Sequence, residues 1–392
     1  MKIVHITLTG SFNDDWGYQD NLIPKYNKLN GHDVTIITTT FKSSMKQHEK
    51  YVRVQPGQYL LGNGIKVIRI KDNRCGYGHR MKKLKKHIKL YSLLTRENPN
   101  LIFMHGIQSL DIIAVAKYIK NNPECKLAVD NHATYENSGR NFLSREVLHK
   151  IIYRKAIKIA MPYIDRLFMI APRSKEFALD MYKLPEKKIE YLFLGADSEK
   201  IDFENKSSVR RKIRQDLNIG DDDFVIITGG KIDKNKNMKL LIDALDDIED
   251  SSLKIIIFGV FLDDVYEEKE FLLNDSRFSY VGWLKGDEVY DYYLASDVAV
   301  FPGSKSALWE QAICCGLPLI CRTWSGMEYV DVGGNCIFIN NDKDLLRESI
   351  INLMSNKEKL NKMSSIARDK GCKRFSYEKI ALQAINFEKY RG

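Results

Sequence analysis

Short apolar runs alternate with amphipathic stretches along this chain, and midway the alternation begins again. In the first half KIVHITLT, DVTIITT, KVIRI, LIFMH, LAVDNH and RLFMIA are β-branched and aromatic runs that end in polar or glycine residues. Stretches of helical period, such as YQDNLIPKYNKLNG and SLDIIAVAKYIKNN, lie between several of them. The second half repeats the scheme with FVIITGG, LKIIIFG, FSYVGW, VAVFPG, LPLICR and CIFINN as strands and MKLLIDALDDI, VYDYYLAS and ALWEQAICCG as helices. Parallel strands need crossover helices and are buried on both faces, so this pattern predicts α/β layers. The polar segment Ser198 to Asp223 separates the halves as a connector with one amphipathic helix. At 392 residues the chain exceeds the size at which one core stops growing. The expectation is two doubly wound, Rossmann-like domains facing each other across a cleft.

No run approaches eighteen apolar residues, which argues against a membrane-spanning helix. MKIVHITLTGSF reads as a buried first strand and not as a signal peptide. The seven cysteines are scattered, with only Cys314 and Cys315 adjacent and no CxxC pair. That argues for a reducing, cytoplasmic setting and against a disulfide framework or a zinc site. The net charge of +10 invites a polyanion: nucleic acid, an acidic membrane or a phosphorylated small molecule. No basic stripe interleaved with aromatics and no standard nucleic-acid module is present, so nucleic acid is not an expected partner. The most one-sided charge lies in 79-HRMKKLKKHIKLYSLLTREN-98, where Met81, Leu84, Ile88 and Tyr91 recur at helical spacing among six basic residues. Such a helix either lies on an anionic membrane, through 79–96, or packs on a core with a charged outer face. Lys150, Arg154, Lys155 and Lys158 form a second basic helical face.

Ligands of open α/β sheets sit at the carboxyl ends of the strands. In FVIITGGKIDKNKNMKLLIDAL a strand is expected to end at Gly229-Gly230, with Lys231 and Lys236 following and a helix opening near Asn237 or Met238. The glycines let a ligand approach the backbone, and the two ammonium groups could straddle a diphosphate. A solvated Lys/Asn-rich turn explains the same residues, and the spacing is neither a Walker A loop nor G-x-G-x-x-G. In 300-VFPGSKSALWEQAICCGLPLI-320, Ser304 and Ser306 offer hydroxyls, the amides of Ser306, Ala307 and Leu308 open a helix, and Glu310 sits in its first turn. A carboxylate there can accept ribose hydroxyls beside a phosphate, or it can merely favour the helix start.

Taken together, GGKIDKNKNMKLLIDAL, GWLKGDEVYDYYLASDVAVFPG and ALWEQAICCGLPLICRTWSGMEYV resemble, in order and spacing, the C-terminal domain of glycosyltransferase family 4. The likeness covers roughly the last two hundred residues. The tail GCKRFSYEKIALQAINFEKY is similar to the family's closing helix, and the first half matches in frame more than in sequence. The resemblance implies a GT-B fold with an acceptor-binding domain over 1–200, a nucleotide-sugar-binding domain over 201–375 and a helix over 376–392 that crosses back. It implies that Lys231, where the family has arginine, and Lys236 contact the donor diphosphate, and that Glu310 holds the ribose. The family's partner glutamate eight positions earlier is replaced by Pro302, so Ser304, Lys305 or Ser306 would substitute in sugar recognition. Some members share this compact P-G-x-x-S-x-x-W-E/Q-Q-A segment. His132 matches the family's active-site histidine near the donor sugar, with His105 as runner-up and Asp130 and Asn131 as orienting partners. Gly10 and Ser11 match the N-terminal glycine loop beside donor or acceptor, Gly230 the donor approach, and Glu328 the downstream P-E position.

The function so implied is retaining transfer of a hexosyl group from a nucleotide-diphosphate sugar, with UDP the default, to a saccharide or lipid-linked acceptor. It serves bacterial-type surface polysaccharide or glycoconjugate synthesis, needs no cofactor or obligatory metal, and takes place in the cytoplasm or peripherally on the membrane's inner face. The alternatives are another GT-B enzyme, such as a nucleotide-sugar epimerase or a phosphorylase, and a non-enzymatic polyanion binder. An epimerase would need a carboxylate acid/base cluster, which the sequence does not display.

Overall fold

The computed structural model describes residues 1–14, 16–44, 51–71 and 86–387. The chain divides into two compact units, Met1–Phe193 with Ile380–Gly392, and Leu194–Lys379.

The first unit contains β1 (Lys2–Thr7), β2 (Asp33–Thr39), β3 (Phe41–Ser43), β4 (Tyr51–Arg53), β5 (Gly57–Leu60), β6 (Lys66–Ile70), β7 (Leu101–Met104), β8 (Lys126–Asn131), β9 (Arg166–Met169) and β10 (Ile189–Tyr191). Eight of these form one sheet in the order β10-β9-β8-β7-β1-β2-β6-β5, while β3 and β4 pair as a separate ribbon. All pairs in the large sheet are parallel except β5 with β6. From β1 the chain builds outward through β2 in one direction and through β7 in the other, so the strand order reverses between β1 and β7. Ile3, Val4, Ile6, Leu127 and Val129 are fully buried, as expected of strands covered by helices on both faces.

Of the helical face expected from Met81, Leu84, Ile88 and Tyr91, Tyr91 packs against the core and Ile88 does not. Residues 79–85 of that stretch, Met81 and Leu84 included, lie outside the described residues. The helix here is Leu90–Glu97; Leu90 and Leu94 enter the core, while Ile88, ahead of the helix, is 74% exposed.

The second unit contains β11 (Phe224–Ile232), β12 (Leu253–Phe261), β13 (Phe278–Gly282), β14 (Val298–Phe301), β15 (Leu319–Arg322) and β16 (Cys336–Ile339), all parallel, in the order β13-β12-β11-β14-β15-β16. Its reversal falls between β11 and β14. The connector helix Lys206–Asp216 is held to this sheet by the fully buried Arg214, which donates to the carbonyls of Ala295, Gly220, Asp221 and Asp223 and to the Asp297 carboxylate. Strand β11 does not stop at Gly229-Gly230 but continues to Ile232, with Gly230 paired to Gly259 and Lys231 to Val260. The glycines extend the strand instead of ending it. Gly230 and Gly259 have φ of +108° and +112°, and a Cβ on Gly259 would stand 1.9 Å from the Gly230 carbonyl oxygen. Two glycines thus allow two backbones to approach more closely than side chains permit.

Candidate functional site

In the second unit three segments meet at the carboxyl ends of β11, β14 and β15, where the strand order reverses and open α/β sheets bind ligands. After β11, Asp233 caps a single 3-10 turn, Lys234–Lys236, by accepting from the Asn235 amide, and Asn237 at φ +54° opens the helix Met238–Asp246. After β14 comes Pro302-Gly303-Ser304. The Ser304 amide donates to Asn235 O at 2.7 Å, and the Lys236 ammonium donates to Ser304 O at 3.1 Å. Gly303 is the point of closest approach, since a Cβ there would stand 2.2 Å from Asn235 O. After β15, the Trp324 indole donates to Gly303 O at 3.1 Å, with the Arg322 guanidinium 4.8 Å above its ring.

Glu310 is the third residue of the short helix Leu308–Cys314 and is 2% exposed. Its Oε1 accepts from the Tyr329 hydroxyl, while Oε2 is buried with no hydrogen-bond partner among the described residues. Burial lifts its pKa to about 7, against the lowering effects of the Tyr329 bond, a backbone bond and Lys305. A buried carboxylate with one oxygen fixed and one uncommitted can receive a hydroxyl donor. Burial also lowers the Lys236 ammonium below its ordinary range, with Asp233 opposing. A cation in that condition gains from an anionic partner.

Of the residues expected here, Lys236, Ser304, Pro302 and Glu310 lie on segments joined by these bonds, and Gly230 faces the same helix, its virtual Cβ 2.9 Å from Leu308 Cδ1. Lys231 is exposed near the end of β11, paired with Val260. Ser306 and Ala307 supply carbonyls to the Trp309 and Gln311 amides, so they build the helix start. Glu328 is exposed; its neighbour Tyr329 makes the Glu310 contact. Tyr329 and Trp324 were missed by sequence reasoning. The aromatic residues flanking the S-G-M-E run were the available signal.

In the first unit the strand-order reversal brings together His5 of β1, His105 just after β7, and Asp130 and His132 at the end of β8. Asp130 Oδ2 lies 2.9 Å from His105 Nδ1 and 3.1 Å from His132 Nε2, and its Oδ1 accepts from the Gly106 amide at 2.7 Å. His105 Nε2 lies 3.1 Å from His5 Nδ1, and His5 Nε2 lies 3.1 Å from Asn27 Nδ2. The result is a polar chain, Asn27–His5–His105–Asp130–His132, that is buried until it surfaces at the partly exposed His132. Burial would raise the Asp130 carboxyl, but His132 and His105 outweigh it and hold it well below the usual carboxylate range. Burial would lower His132, but Asp130, aided by Asp20, holds it above its ordinary value. His5 is pushed well below its ordinary value by burial and by His105.

The side-chain amide of Asn131, an expected orienting partner, donates to Ala133 O and Ser174 O. Gly10 lies exposed in the loop after β1, its carbonyl accepting from Thr39, while Ser11 pairs with Ser43. His105, Asp130 and His132 have donor atoms within 4.8 Å of one another, a set that could ligate a divalent cation. As placed, both imidazoles share one carboxylate oxygen at hydrogen-bond distance.

Residues 209–370 match the family described as Glycosyl transferases group 1. A protein of Methanocaldococcus jannaschii described as an uncharacterized glycosyltransferase is 21% identical over 244 residues, which is 59% of this chain and 62% of that protein. The chain thus spans less than two thirds of that relative's length. Among solved structures, sucrose-phosphate synthase from Thermosynechococcus elongatus aligns with a TM-score of 0.65 at 16% identity, over 97% of this chain and 96% of that one. Anabaena HepE in complex with UDP-glucose aligns with a TM-score of 0.65 at 15% identity, over 98% of both chains. The fold is GT-B.

Proposed function

We propose that this chain, whose residues 209–370 form a group 1 glycosyl transferase domain, is a retaining glycosyltransferase of family 4 that takes its sugar from a UDP-sugar. The group 1 domain identifies an enzyme of the glycosyltransferase class. The observation that carries the finer reading is the joining of the Lys236, Ser304 and Glu310 segments at the strand-order reversal of the second unit, inside the matched region. The binding of UDP and UDP-glucose by the structurally similar HepE supports the choice of base.

On this reading Lys231 and Lys236 take the donor diphosphate and Glu310 takes the ribose hydroxyls through its uncommitted oxygen. The bond from the anomeric carbon to the phosphate oxygen breaks while the acceptor hydroxyl bonds to that carbon on the same face. The acceptor proton passes to the departing phosphate oxygen. Two ammonium groups stabilise the charge that develops on the leaving diphosphate, so positioning and electrostatics supply the catalysis and no obligatory metal is assigned. His132, its pKa held above the ordinary value by Asp130 against burial, is assigned to a sugar hydroxyl. The acceptor is a saccharide or lipid-linked saccharide, and the setting is the cytoplasm or the membrane's inner face.

The test is release of UDP from UDP-glucose and other UDP-sugars with and without saccharide acceptors, with the anomeric configuration of the product read by NMR. Acceptor-dependent UDP release with retained configuration supports the reading. Inverted product, or no turnover of any UDP-sugar across a broad acceptor panel, contradicts it.

A further inference from the structure

Two cysteines of the second unit, 58 positions apart in the chain, meet where two helical segments pack. Cys314 ends the helix Leu308–Cys314 and is fully buried; Cys372 opens the helix Cys372–Phe375 and is partly exposed. Their sulfurs lie 3.4 Å apart, and both are free thiols. The packing around them is close. A π-helical turn, Ala367–Gly371, precedes Cys372, and a Cβ on Gly371 would stand 2.3 Å from Ile313 Cγ2, so glycine lets the two segments close. Beside this contact Ser364 Oγ donates to Gly316 O at 2.6 Å. The thiols are thus held at the separation of about 3–3.5 Å from which one atom attacks another.

Cys372 also lines a surface hollow of about 300 Å³, together with Arg368, Asp369, Lys373, Glu378 and Lys379. Asp369 pairs with Arg368 and Glu378 with Lys379, each at 3.1 Å, whereas Lys373 makes no ion pair among the described residues. The rim therefore carries a surplus of positive charge around a reachable sulfur. Such surroundings favour a thiolate and attract anions. The Cys314 thiol, donating to Cys372, holds the Cys372 pKa below its ordinary value against burial. Burial pushes Cys125, Cys315, Cys321 and Cys336 upward, so these thiols are the less reactive ones. In a reducing setting a link between two such cysteines forms and breaks by exchange instead of standing permanently.

We propose that Cys372 is a thiol–disulfide exchange site for small disulfides that carry carboxylates, with Cys314 as the resolving thiol. The Cys372 thiolate attacks one sulfur of the small disulfide, whose S–S bond breaks; a mixed disulfide forms on Cys372 and the released thiolate takes a proton from water. Cys314 Sγ then attacks Cys372 Sγ, and its proton passes to the second departing thiol. The two cysteines are oxidised to one disulfide while the small disulfide is reduced to two thiols. The product ties the helix that carries Glu310 to the helix Cys372–Phe375. The inference goes beyond the transferase reading and is scored without donor or acceptor, so either can fail alone.

The reduced full chain is incubated without oxygen with oxidised glutathione, which is acidic, or with cystamine, a cationic disulfide, and its peptides are mapped by mass spectrometry. Each rate is taken relative to that of a free cysteine peptide. Cys372→Ser, Cys314→Ala and Lys373→Glu are run beside it, with circular dichroism confirming that they fold. The wild type is expected to yield a disulfide between Cys314 and Cys372 that dithiothreitol reverses. Cys314→Ala is expected to stop at the mixed disulfide on Cys372, and Cys372→Ser to leave Cys314 unmodified. Glutathione is expected to react at least about threefold faster than cystamine, and Lys373→Glu to remove that preference. A wild-type chain whose Cys314 and Cys372 stay reduced, while the denatured chain reacts, overturns the proposal. So does a disulfide between Cys315 and Cys372 in place of the Cys314 link. Cystamine reacting as fast as glutathione would overturn the preference for carboxylate-bearing disulfides.

Discussion

The Tyr329 hydroxyl donates a 2.5 Å hydrogen bond to Glu310 Oε1, tying the segment after β15 to the helix after β14. The bond fixes one carboxylate oxygen and leaves Oε2 buried and uncommitted. It also opposes, without cancelling, the burial that lifts Glu310 to about 7.

That shift has a consequence for stability. Glu310 holds its proton more tightly in the native state, at about 7, than at its ordinary value of 4.5. Between those values the unfolded chain ionises first, so this residue's contribution falls as pH rises and is flat above about 7. The full change is about 3 kcal/mol. Glu310→Gln removes it, so the melting temperature of the variant relative to wild type rises from pH 5 to pH 8. A difference that does not change with pH contradicts the assignment.

Tyr329→Phe deletes a bond that lowers the Glu310 pKa and leaves burial less opposed. The pH at which the carboxylate ionises therefore moves up. If the ionised form takes the ribose hydroxyls, the ionised fraction of Glu310 at pH 7 shrinks and UDP affinity there falls several-fold. Affinity recovers in part at higher pH. Calorimetric titrations of both proteins across this range check it, and parallel pH profiles would count against it.

Gly303→Ala places a Cβ 2.2 Å from the Asn235 carbonyl oxygen, backbone that cannot swing aside as a side chain can. The segments after β11 and β14 must part, at a cost of about 1–3 kcal/mol. A lowered melting temperature together with weakened UDP binding is expected; unchanged UDP affinity would show that the junction is not part of the donor site.

In the first unit, Asp130→Asn removes the carboxylate that raises His132 while keeping its shape. Burial then prevails and the His132 pKa drops below its ordinary value. In the wild type the raised pKa contributes stability that is full below about 6.5 and is lost as pH rises through the folded value. The variant lacks that window. NMR titration of the His132 ring reads the shift directly, and transferase turnover is expected to fall about tenfold or more if a charged His132 serves the sugar. An unmoved His132 titration would remove Asp130 from this role.

Much of the fold is legible because parallel strands buried on both faces leave continuous apolar runs, and because Lys236 and Glu310 sit where such runs end. The missing parts have identifiable causes. Gly229-Gly230 signals a turn in sequence, but facing Gly259 it lets two long strands close on each other. Tyr329 reaches Glu310 across 19 positions of sequence, a contact that exists only once β14 and β15 are neighbours. His5 is hidden inside KIVHIT, where a lone polar residue has no local partner; His105 and Asn27 arrive from elsewhere in the chain. Asn131 and Asp130 are adjacent in sequence, but strand alternation turns them to opposite faces, so only Asp130 meets the histidines.

The most direct test of the donor site is calorimetric titration of UDP into the wild-type chain and Lys236→Ala at neutral pH. The account predicts measurable binding to wild type and at least about tenfold weaker binding to the variant, equivalent to about 1.4 kcal/mol. Equal affinity in the two proteins would contradict it.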